Sequence, residues 1–308
     1  RTMFFDEDGI DLAHWKKLLK QGEKSTLNSF FSRINTLNLR NSVFIDNTAN
    51  QQVSEMYEQY LSENIGVVTC NKIACASSFE NYSTLKEVSR KSNAPFLFET
   101  NVGAGLPIID TLKNLIASGD RIHKIQAVLS GSLNFVFNNF NAATTFHDVV
   151  QQAANEGYTE PDPKIDLSGV DVARKILILA RESGFQMELN DITNKSFLPK
   201  EALDTTNNDD FYASLTNNEA HFQKIFSEAN DQNYRLKYVA EFEEGKANVG
   251  LQQIPSTHSF YNLEGSDNIV LFYTDRYSEQ PLIIKGAGAG ADVTASGIFA
   301  DVIRIGNI

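Results

Sequence analysis

The sequence predicts an α/β protein in which a parallel-sheet domain is joined to an α+β domain. Three short apolar strands, at 42–46, 65–69 and 95–99, alternate with amphipathic helices, which is typical of βαβ units. The pattern changes after Pro107, and a strand, a glycine turn and a helix close the chain. A length of 308 residues also favours two domains.

The first predicted domain covers residues 1–106 and is completed by residues 285–308, while the second covers residues 107–284. In the first domain, helices are predicted at about 51–63 and 79–92, between the strands. This order of elements is that of a Rossmann-type nucleotide-binding domain. Ligands of such sheets bind beyond the carboxyl ends of the strands.

Polar segments follow all three predicted strands at that edge. They are Asp46-Asn47-Thr48, Thr69-Cys70-Asn71-Lys72 and the glycine-containing stretch 99–105. Lys72 is either a site residue or an exposed loop lysine. The glycine loop offers backbone carbonyls to a monovalent cation, or is simply a tight turn before a helix that begins at Pro107.

The second domain mixes helices and strands. A helix is predicted from Pro107 to Ser118, and residues 128–134 are predicted to be a strand that runs into a turn. A longer helix, with Ser168 or Asp166 as its N-cap, should end at Gly184. The polar stretch 204–210 is predicted to be a loop, the stretch 217–228 a helix and the stretch 234–239 a strand.

The last segment predicts a strand at 281–285, a glycine turn and a helix from about Val293. Gly286, Gly288 and Ala291 fit the spacing G-x-G-x-x-[GA], but the sequence has no room for the acidic ribose ligand about twenty residues further on. The turn therefore either packs against a cofactor or permits close packing of helix on strand.

Composition excludes several classes of function. A net charge of −12 argues against nucleic acid, and no apolar run is long enough to cross a membrane. Cys70 and Cys75 form neither a disulfide framework nor a zinc motif, so a reducing cytoplasm is expected. The five histidines lack metal-ligand spacing.

The densest polar cluster extends from Gly157 to Lys175. Asp171 and Lys175 are four residues apart, so they share one helix face, as a surface salt bridge would too. Prolines on either side of Asp162 restrict the backbone near Glu160. Carboxylates beside a lysine can bind an amino group and protonate a carbonyl oxygen, but this does not specify a reaction.

Five strings resemble homoserine dehydrogenase, in the order and spacing of that family, and the resemblance covers nearly the whole chain. They are Asn71-Lys72, Thr100-Asn101-Val102-Gly103-Ala104-Gly105-Leu106-Pro107, Leu129-Ser130-Gly131-Ser132-Leu133-Asn134, Gly157-Tyr158-Thr159-Glu160-Pro161-Asp162-Pro163 and Asp171-Val172-Ala173-Arg174-Lys175. The stretch Gly9–Trp15 is similar to the branch fused behind an aspartate kinase.

The resemblance implies an oxidoreductase of threonine, methionine and isoleucine biosynthesis, which interconverts L-homoserine and L-aspartate 4-semialdehyde with NADP or NAD. Glu160 and Asp171 would bind the substrate and Lys175 would be the acid. Lys72 would lie near cofactor and substrate, and Asp166 would orient a lysine. Two further sets are implied: cofactor-lining residues Thr48, Ala49, Lys72, Gly157 and Gly290, and oxygen ligands of a sodium or potassium ion from Glu99, Val102, Ala104 and Leu106.

The resemblance also implies a homodimer or higher homo-oligomer formed through the second domain. Three departures accompany it. The family's opening strand and GxGxxG loop are missing, so the nucleotide-binding domain is incomplete and the choice between NAD and NADP cannot be read. Cys70 replaces a proline, and Lys164-Ile165 precedes Asp166 where Arg-Asp is common. The missing loop motivates an alternative, a cofactor-free dimerisation or regulatory fragment.

Overall fold

A computed structural model describes residues 2–307 as two main sheets and a small strand pair, with helices packed on them. The strands are β1 (Thr2–Met3), β2 (Glu23–Lys24), β3 (Val43–Asp46), β4 (Gly66–Thr69), β5 (Phe96–Leu97), β6 (Ile122–Val128), β7 (Thr193–Lys195), β8 (Arg235–Glu243), β9 (Lys246–Ile254), β10 (Asp267–Thr274) and β11 (Leu282–Ala287).

The α-helices include both long, amphipathic elements and single turns. They are α1 (Trp15–Lys20), α2 (Leu27–Leu37), α3 (Gln51–Ser54), α4 (Tyr57–Ser62), α5 (Phe79–Lys91), α6 (Ile108–Ala117), α7 (Gly131–Asn139), α8 (Phe146–Asn155), α9 (Pro163–Leu167), α10 (Val170–Glu182), α11 (Lys200–Leu203), α12 (Asn208–Asn217), α13 (Glu219–Asn230) and α14 (Ala291–Gly306). Within residues 2–307, no helix has the length and apolarity to cross a bilayer.

The first sheet is parallel, with strand order β3-β4-β5. The apolar run of β4 is buried on both faces, as expected for a central parallel strand. The predicted α/β class is confirmed, although the helix expected at 51–63 is divided into α3 and α4. Ahead of this sheet, β1 and β2 form a small antiparallel pair.

The second sheet has the order β11-β10-β6-β8-β9-β7 and is antiparallel except where β7 meets β9. Two predictions for this part were wrong. The stretch 128–134 turns into helix α7, because the Ser130 side chain accepts a hydrogen bond from Leu133 N and caps the helix. The loop expected at 204–210 ends early, because Asn207 caps α12.

The terminal segment connects the two sheets. Strand β11 pairs with β10 in the second sheet rather than extending the parallel sheet. Helix α14 then returns to the first sheet, where a Cβ on Gly66 would lie 3.4 Å from the Ile305 side chain. The predicted domain boundaries at residues 106 and 285 stay predictions, and β11 runs across the second of them.

One continuous hydrophobic core extends through both parts. It includes Tyr57 and Phe98 from the first part and Ile176 and Phe242 from the second. Helix α10 lies at the centre of this core, since it packs against β8, β9 and α6. The direction of α10 therefore determines which side chains of its first and last turns reach each of the two parts.

Candidate active site

The start of α10 is determined by a glycine. Gly169 has a φ of 74°, and a Cβ at this position would collide with the Tyr238 side chain, so another residue type would not fit. The N-cap is Gly169 and no side chain caps the helix, so the predicted caps, Ser168 and Asp166, were wrong. Ser168 Oγ accepts a hydrogen bond from Val170 N at 3.3 Å from the position before the N-cap. The Asp166 side chain instead points to other partners.

Three charged side chains meet at the first turns of α10. Lys175 Nζ lies 2.7 Å from Asp171 Oδ2, and Lys72 Nζ lies 3.4 Å from Asp171 Oδ1. Burial alone would raise the pKa of Asp171, but the charges of Lys175 and Lys72 outweigh it and hold the pKa below its ordinary value. Asp171 is therefore an anion shared by two lysines.

Lys175 is buried, with only 9% of the residue exposed, so the pair with Asp171 is not an ordinary surface salt bridge. Its Nζ also donates a hydrogen bond to Leu129 O at 2.7 Å. Burial lowers the pKa of Lys175, and the charge of Asp171 opposes part of that effect. A lysine with a lowered pKa can exchange a proton more readily at ordinary pH.

Asp166 holds the loop that carries Glu160. Asp166 Oδ2 accepts a hydrogen bond from Glu160 N at 2.8 Å, and Asp166 Oδ1 lies 2.9 Å from Ser132 Oγ. Burial raises the pKa of Asp166, although these hydrogen bonds oppose the shift. Its hydrogen bonds thus fix the Glu160 loop; the orientation of a lysine by Asp166 stays a prediction.

A cavity of about 530 Å³ brings together six of the predicted residues. The six are Gly157, Glu160, Asp166, Asp171, Lys175 and Gly290. Residues of α7 and of the terminal glycine turn complete the lining. A larger cavity of about 770 Å³ lies elsewhere, beside Ser42, Gly66 and Pro95 at the amino ends of the parallel strands, away from the charged cluster.

Thr48 and Ala49 lie apart from this cavity lining. They are exposed and follow the carboxyl end of β3, one strand away from the segment that carries Lys72. That edge is ordered by Asp46, whose carboxylate accepts hydrogen bonds from Thr48 N at 2.8 Å and Asn71 Nδ2 at 3.0 Å. The predicted cofactor residues thus lie at two locations.

Two glycines leave part of the cavity wall without side chains. Gly157 and Gly290 have φ angles of 78° and 118°, and an added Cβ at either would meet no atom within 4 Å. Thr159 Oγ1 is buried without a hydrogen-bond partner in the same lining. Gly288 differs, because a Cβ there would collide with Asn268. In the terminal glycine turn, Gly288 therefore permits close packing, whereas Gly290 leaves the cavity wall open.

Sequence reasoning missed Ser132, Thr159 and Ser266 in the lining of the cavity. The first two lie within the strings quoted above, so their positions were a usable signal. No sequence signal indicated Ser266, because contacts distant in sequence bring it to the cavity. Asn134 Nδ2 donates a hydrogen bond to Gly265 O at 3.0 Å, which holds the loop of Ser266 against α7.

The predicted cation ligands surround the start of α6. Glu99 Oε1 and Oε2 accept hydrogen bonds from Ile109 N at 2.7 Å and Asp110 N at 2.8 Å, so this carboxylate caps the helix. Burial raises the pKa of Glu99 to about 7, against these hydrogen bonds. In residues 2–307, no cluster of three His, Cys, Asp or Glu side chains is arranged to hold a metal.

Two family models match the chain. The model for homoserine dehydrogenase matches residues 107–303, and the model for the homoserine dehydrogenase NAD-binding domain matches residues 4–99. Together they cover both parts of the structure.

Curated relatives differ in length. A chloroplastic bifunctional aspartokinase/homoserine dehydrogenase 2 from Zea mays is 42% identical over 99% of this chain, which covers 34% of that protein. A homoserine dehydrogenase from Schizosaccharomyces pombe is 38% identical, and the match covers 97% of this chain and 82% of that protein. The chain thus spans about a third of the length of the plant relatives.

Solved structures resemble this chain along most of its length. A Candida auris protein of unknown function has a TM-score of 0.91 and 36% identity, and the match covers 98% of this chain and 87% of that one. A hyperthermophilic archaeal homoserine dehydrogenase in complex with NADPH has a TM-score of 0.73 and 25% identity, with coverage of 97% and 84%. With both parts matched by its models, and with a monofunctional relative covered over most of its length, the chain belongs to the homoserine dehydrogenase family.

Proposed function

We propose that this chain interconverts L-homoserine and L-aspartate 4-semialdehyde with a nicotinamide cofactor, NADP or NAD, as a step of threonine, methionine and isoleucine biosynthesis. The observation that carries the proposal is the pair of buried Lys175 with Asp171 at the wall of a cavity that Glu160 also lines. The archaeal relative solved with NADPH supports the cofactor.

The carboxylates provide the substrate-binding chemistry. Both homoserine and its aldehyde carry an α-ammonium group, which prefers anionic partners that are already fixed in place. Asp171 is kept ionised by two lysines, and Glu160 lies on a loop held by Asp166. We assign the ammonium group to Glu160 and Asp171, with the reacting carbon toward Lys175.

Lys175 is assigned the proton transfer. When bound, the nicotinamide cofactor supplies hydride to the aldehyde or accepts it from the alcohol. In aldehyde reduction, the Lys175 ammonium stabilises the developing alkoxide and donates its proton to that oxygen. In homoserine oxidation, the neutral amine accepts the hydroxyl proton. Gly157 and Gly290 would border the cofactor on the cavity side, Lys72 beside Asp171, and Thr48 and Ala49 at the edge of the parallel sheet.

Two measurements on the chain as it exists test the proposal. Homoserine oxidation, followed as nicotinamide absorbance with NADP and with NAD, should show saturable turnover. Calorimetric titration with NADPH should show binding. Binding without turnover would defeat the proposed reaction. Neither binding nor turnover would favour the alternative, a cofactor-free dimerisation or regulatory fragment.

Exchange of Glu160 for glutamine should raise the KM for homoserine about tenfold and change kcat much less. The amide keeps the shape of the side chain but loses the charge that attracts the ammonium group. Steady-state kinetics of homoserine oxidation check this, with the nearby exposed Glu156→Gln as the matched control. An unchanged KM in Glu160→Gln would remove Glu160 from the substrate site.

The remaining assignments concern the surroundings of the reaction. We propose that backbone carbonyls of Glu99, Val102, Ala104 and Leu106 bind a sodium or potassium ion, since the Glu99 carboxylate is occupied with α6. The left-handed φ of Ala104, 52°, bends the chain sharply there. We also propose a homodimer or higher homo-oligomer in the cytoplasm, and a fused aspartate kinase as in the bifunctional relatives.

A further inference from the structure

The last turn of α10 carries two buried charged residues that the proposed reaction does not use. The Arg181 side chain is 0% exposed, and the Glu182 side chain is 3% exposed. Burying a charge is unfavourable unless it is paired and hydrogen-bonded. Both side chains contact residues of the first part of the structure, whereas the first two turns of the same helix carry Asp171 and Lys175.

Glu182 joins α10 to helix α5 of the first part and to helix α6, with which the second part begins. Its carboxylate accepts hydrogen bonds from Lys86 Nζ on α5 at 2.9 and 3.1 Å, and lies 3.7 Å from Lys113 Nζ on α6. The Tyr82 hydroxyl donates to the same carboxylate. Burial would raise the pKa of Glu182, but Lys86 and Lys113 outweigh it and lower the pKa, so the group is an anion.

Arg181 connects α10 to the segment that follows Lys72. Its Nη1 donates to Cys75 O at 2.9 Å, and its Nε and Nη2 donate to Met187 O at 3.0 and 2.9 Å. Glu188 completes the arrangement, since it accepts from Arg181 Nη2 at 3.1 Å. Cys75 is three residues beyond Lys72 in the sequence. The segment 72–75 is therefore held at both ends of α10, by Asp171 and by Arg181.

The two attachments differ in strength. The Lys72–Asp171 pair spans 3.4 Å between side chains that are 31% and 40% exposed, and pairs of this kind contribute little to holding a structure together. Arg181 and Glu182 are themselves almost fully buried, and each makes several contacts, some of them bidentate, which gives these contacts geometric specificity. Their charged partners are partly exposed: Lys86 by 36%, Lys113 by 31% and Glu188 by 49%. Of the two attachments of this segment to α10, the one at the far end of the helix is therefore the firmer, while Asn71 holds the residue before Lys72 to Asp46.

We propose that Arg181 and Glu182 are positioning residues that hold the nucleotide-binding part against α10 and so set the place of Lys72 beside Asp171 and Lys175. This inference rests on the proposed function. Neither residue lines the cavity, so both act through the segment 72–75 and through α5 and α6.

The experiment compares Glu182→Gln and Arg181→Lys with the exposed α5 controls Glu87→Gln and Arg90→Lys. Small displacements of a positioned group cost up to about a hundredfold in rate. We expect kcat for homoserine oxidation to fall at least about tenfold in both α10 variants, with a small change in KM. Amide hydrogen exchange of residues 70–78 should become faster. The controls should match the wild type in both measurements.

A pH profile separates positioning from a purely structural role. Lys175 faces Asp171 on its own helix, Lys72 from the segment after β4 and Asp166 from α9. Burial and Lys72 both lower the pKa of Lys175, so displacing Lys72 and admitting water should raise it. The acid limb of homoserine oxidation, which requires neutral lysine, should therefore move to higher pH in both α10 variants.

Three results would overturn the inference: unchanged exchange in residues 70–78, faster exchange with an unshifted pH profile, or kcat equal to that of the controls. If Glu182→Gln does not fold, Tyr82→Phe removes one contact to the same carboxylate and leaves both lysines in place, and it must show the same signs to a smaller extent. A wild type without turnover would defeat the proposed function. Hydrogen exchange in the variants would still test whether α10 holds residues 70–78 in place.

Discussion

Replacing Lys175 with methionine should lower kcat for homoserine oxidation by about 10³-fold and aldehyde reduction by a similar factor, while the fold is retained. Methionine preserves most of the buried side-chain volume but provides neither the proton nor the positive charge. Steady-state kinetics in both directions, with circular dichroism of the same samples, check the two parts of this expectation.

The exposed Lys200→Met is the matched control and should behave as the wild type. Because Lys175 Nζ also donates to Leu129 O, some loss of thermal stability is expected in Lys175→Met. A folded Lys175→Met with a rate near that of the wild type would remove Lys175 from the reaction, whatever the family resemblance.

Replacing Asp171 with asparagine should have the second largest effect, a loss of about 10- to 100-fold in kcat/KM for homoserine. The substrate ammonium loses an anionic partner, and Lys72 and Lys175 lose the carboxylate between them. Burial lowers the pKa of Lys175 and Asp171 opposes this, so the pKa should fall further in Asp171→Asn.

The pH profile shows in which direction the pKa of Lys175 changes in Asp171→Asn. A lower pKa keeps Lys175 neutral to lower pH, so the acid limb of homoserine oxidation should move to lower pH. The shift is opposite to the one expected for the Arg181 and Glu182 variants. The exposed Asp231→Asn serves as the control. A shift of the acid limb to higher pH in Asp171→Asn would contradict the electrostatic account of this cluster.

The elements with local signals could be predicted from the sequence. The apolar run of β4 and the amphipathic pattern of α5 correspond closely to the structure, as does the helix that carries Asp171 and Lys175. Four-residue spacing on one helix face is enough to bring those two side chains together.

Other features depend on contacts that no local pattern contains. Ser130 has a side chain that can end a strand or cap a helix, and the structure uses it as a cap of α7. The sequence placed most of the last strand and its glycine turn with the nucleotide-binding domain, but β11 pairs with β10 over six residues of the second sheet, a partner that no local pattern indicates. The buried position of Glu182 could not be anticipated, since its partners Lys86 and Lys113 lie on other helices.

The proton transfer by Lys175 is the central claim, and chemical rescue tests it most directly. Lys175→Cys should be nearly inactive, and alkylation with bromoethylamine should restore an amine at almost the same reach. Wild type treated in the same way controls for alkylation of Cys70, because Cys75 is buried. We predict that alkylation restores much of the rate of homoserine oxidation, with the acid limb at lower pH because the thioether makes the amine less basic. A protein with confirmed alkylation at position 175 that remains as inactive as the unalkylated variant would contradict the account.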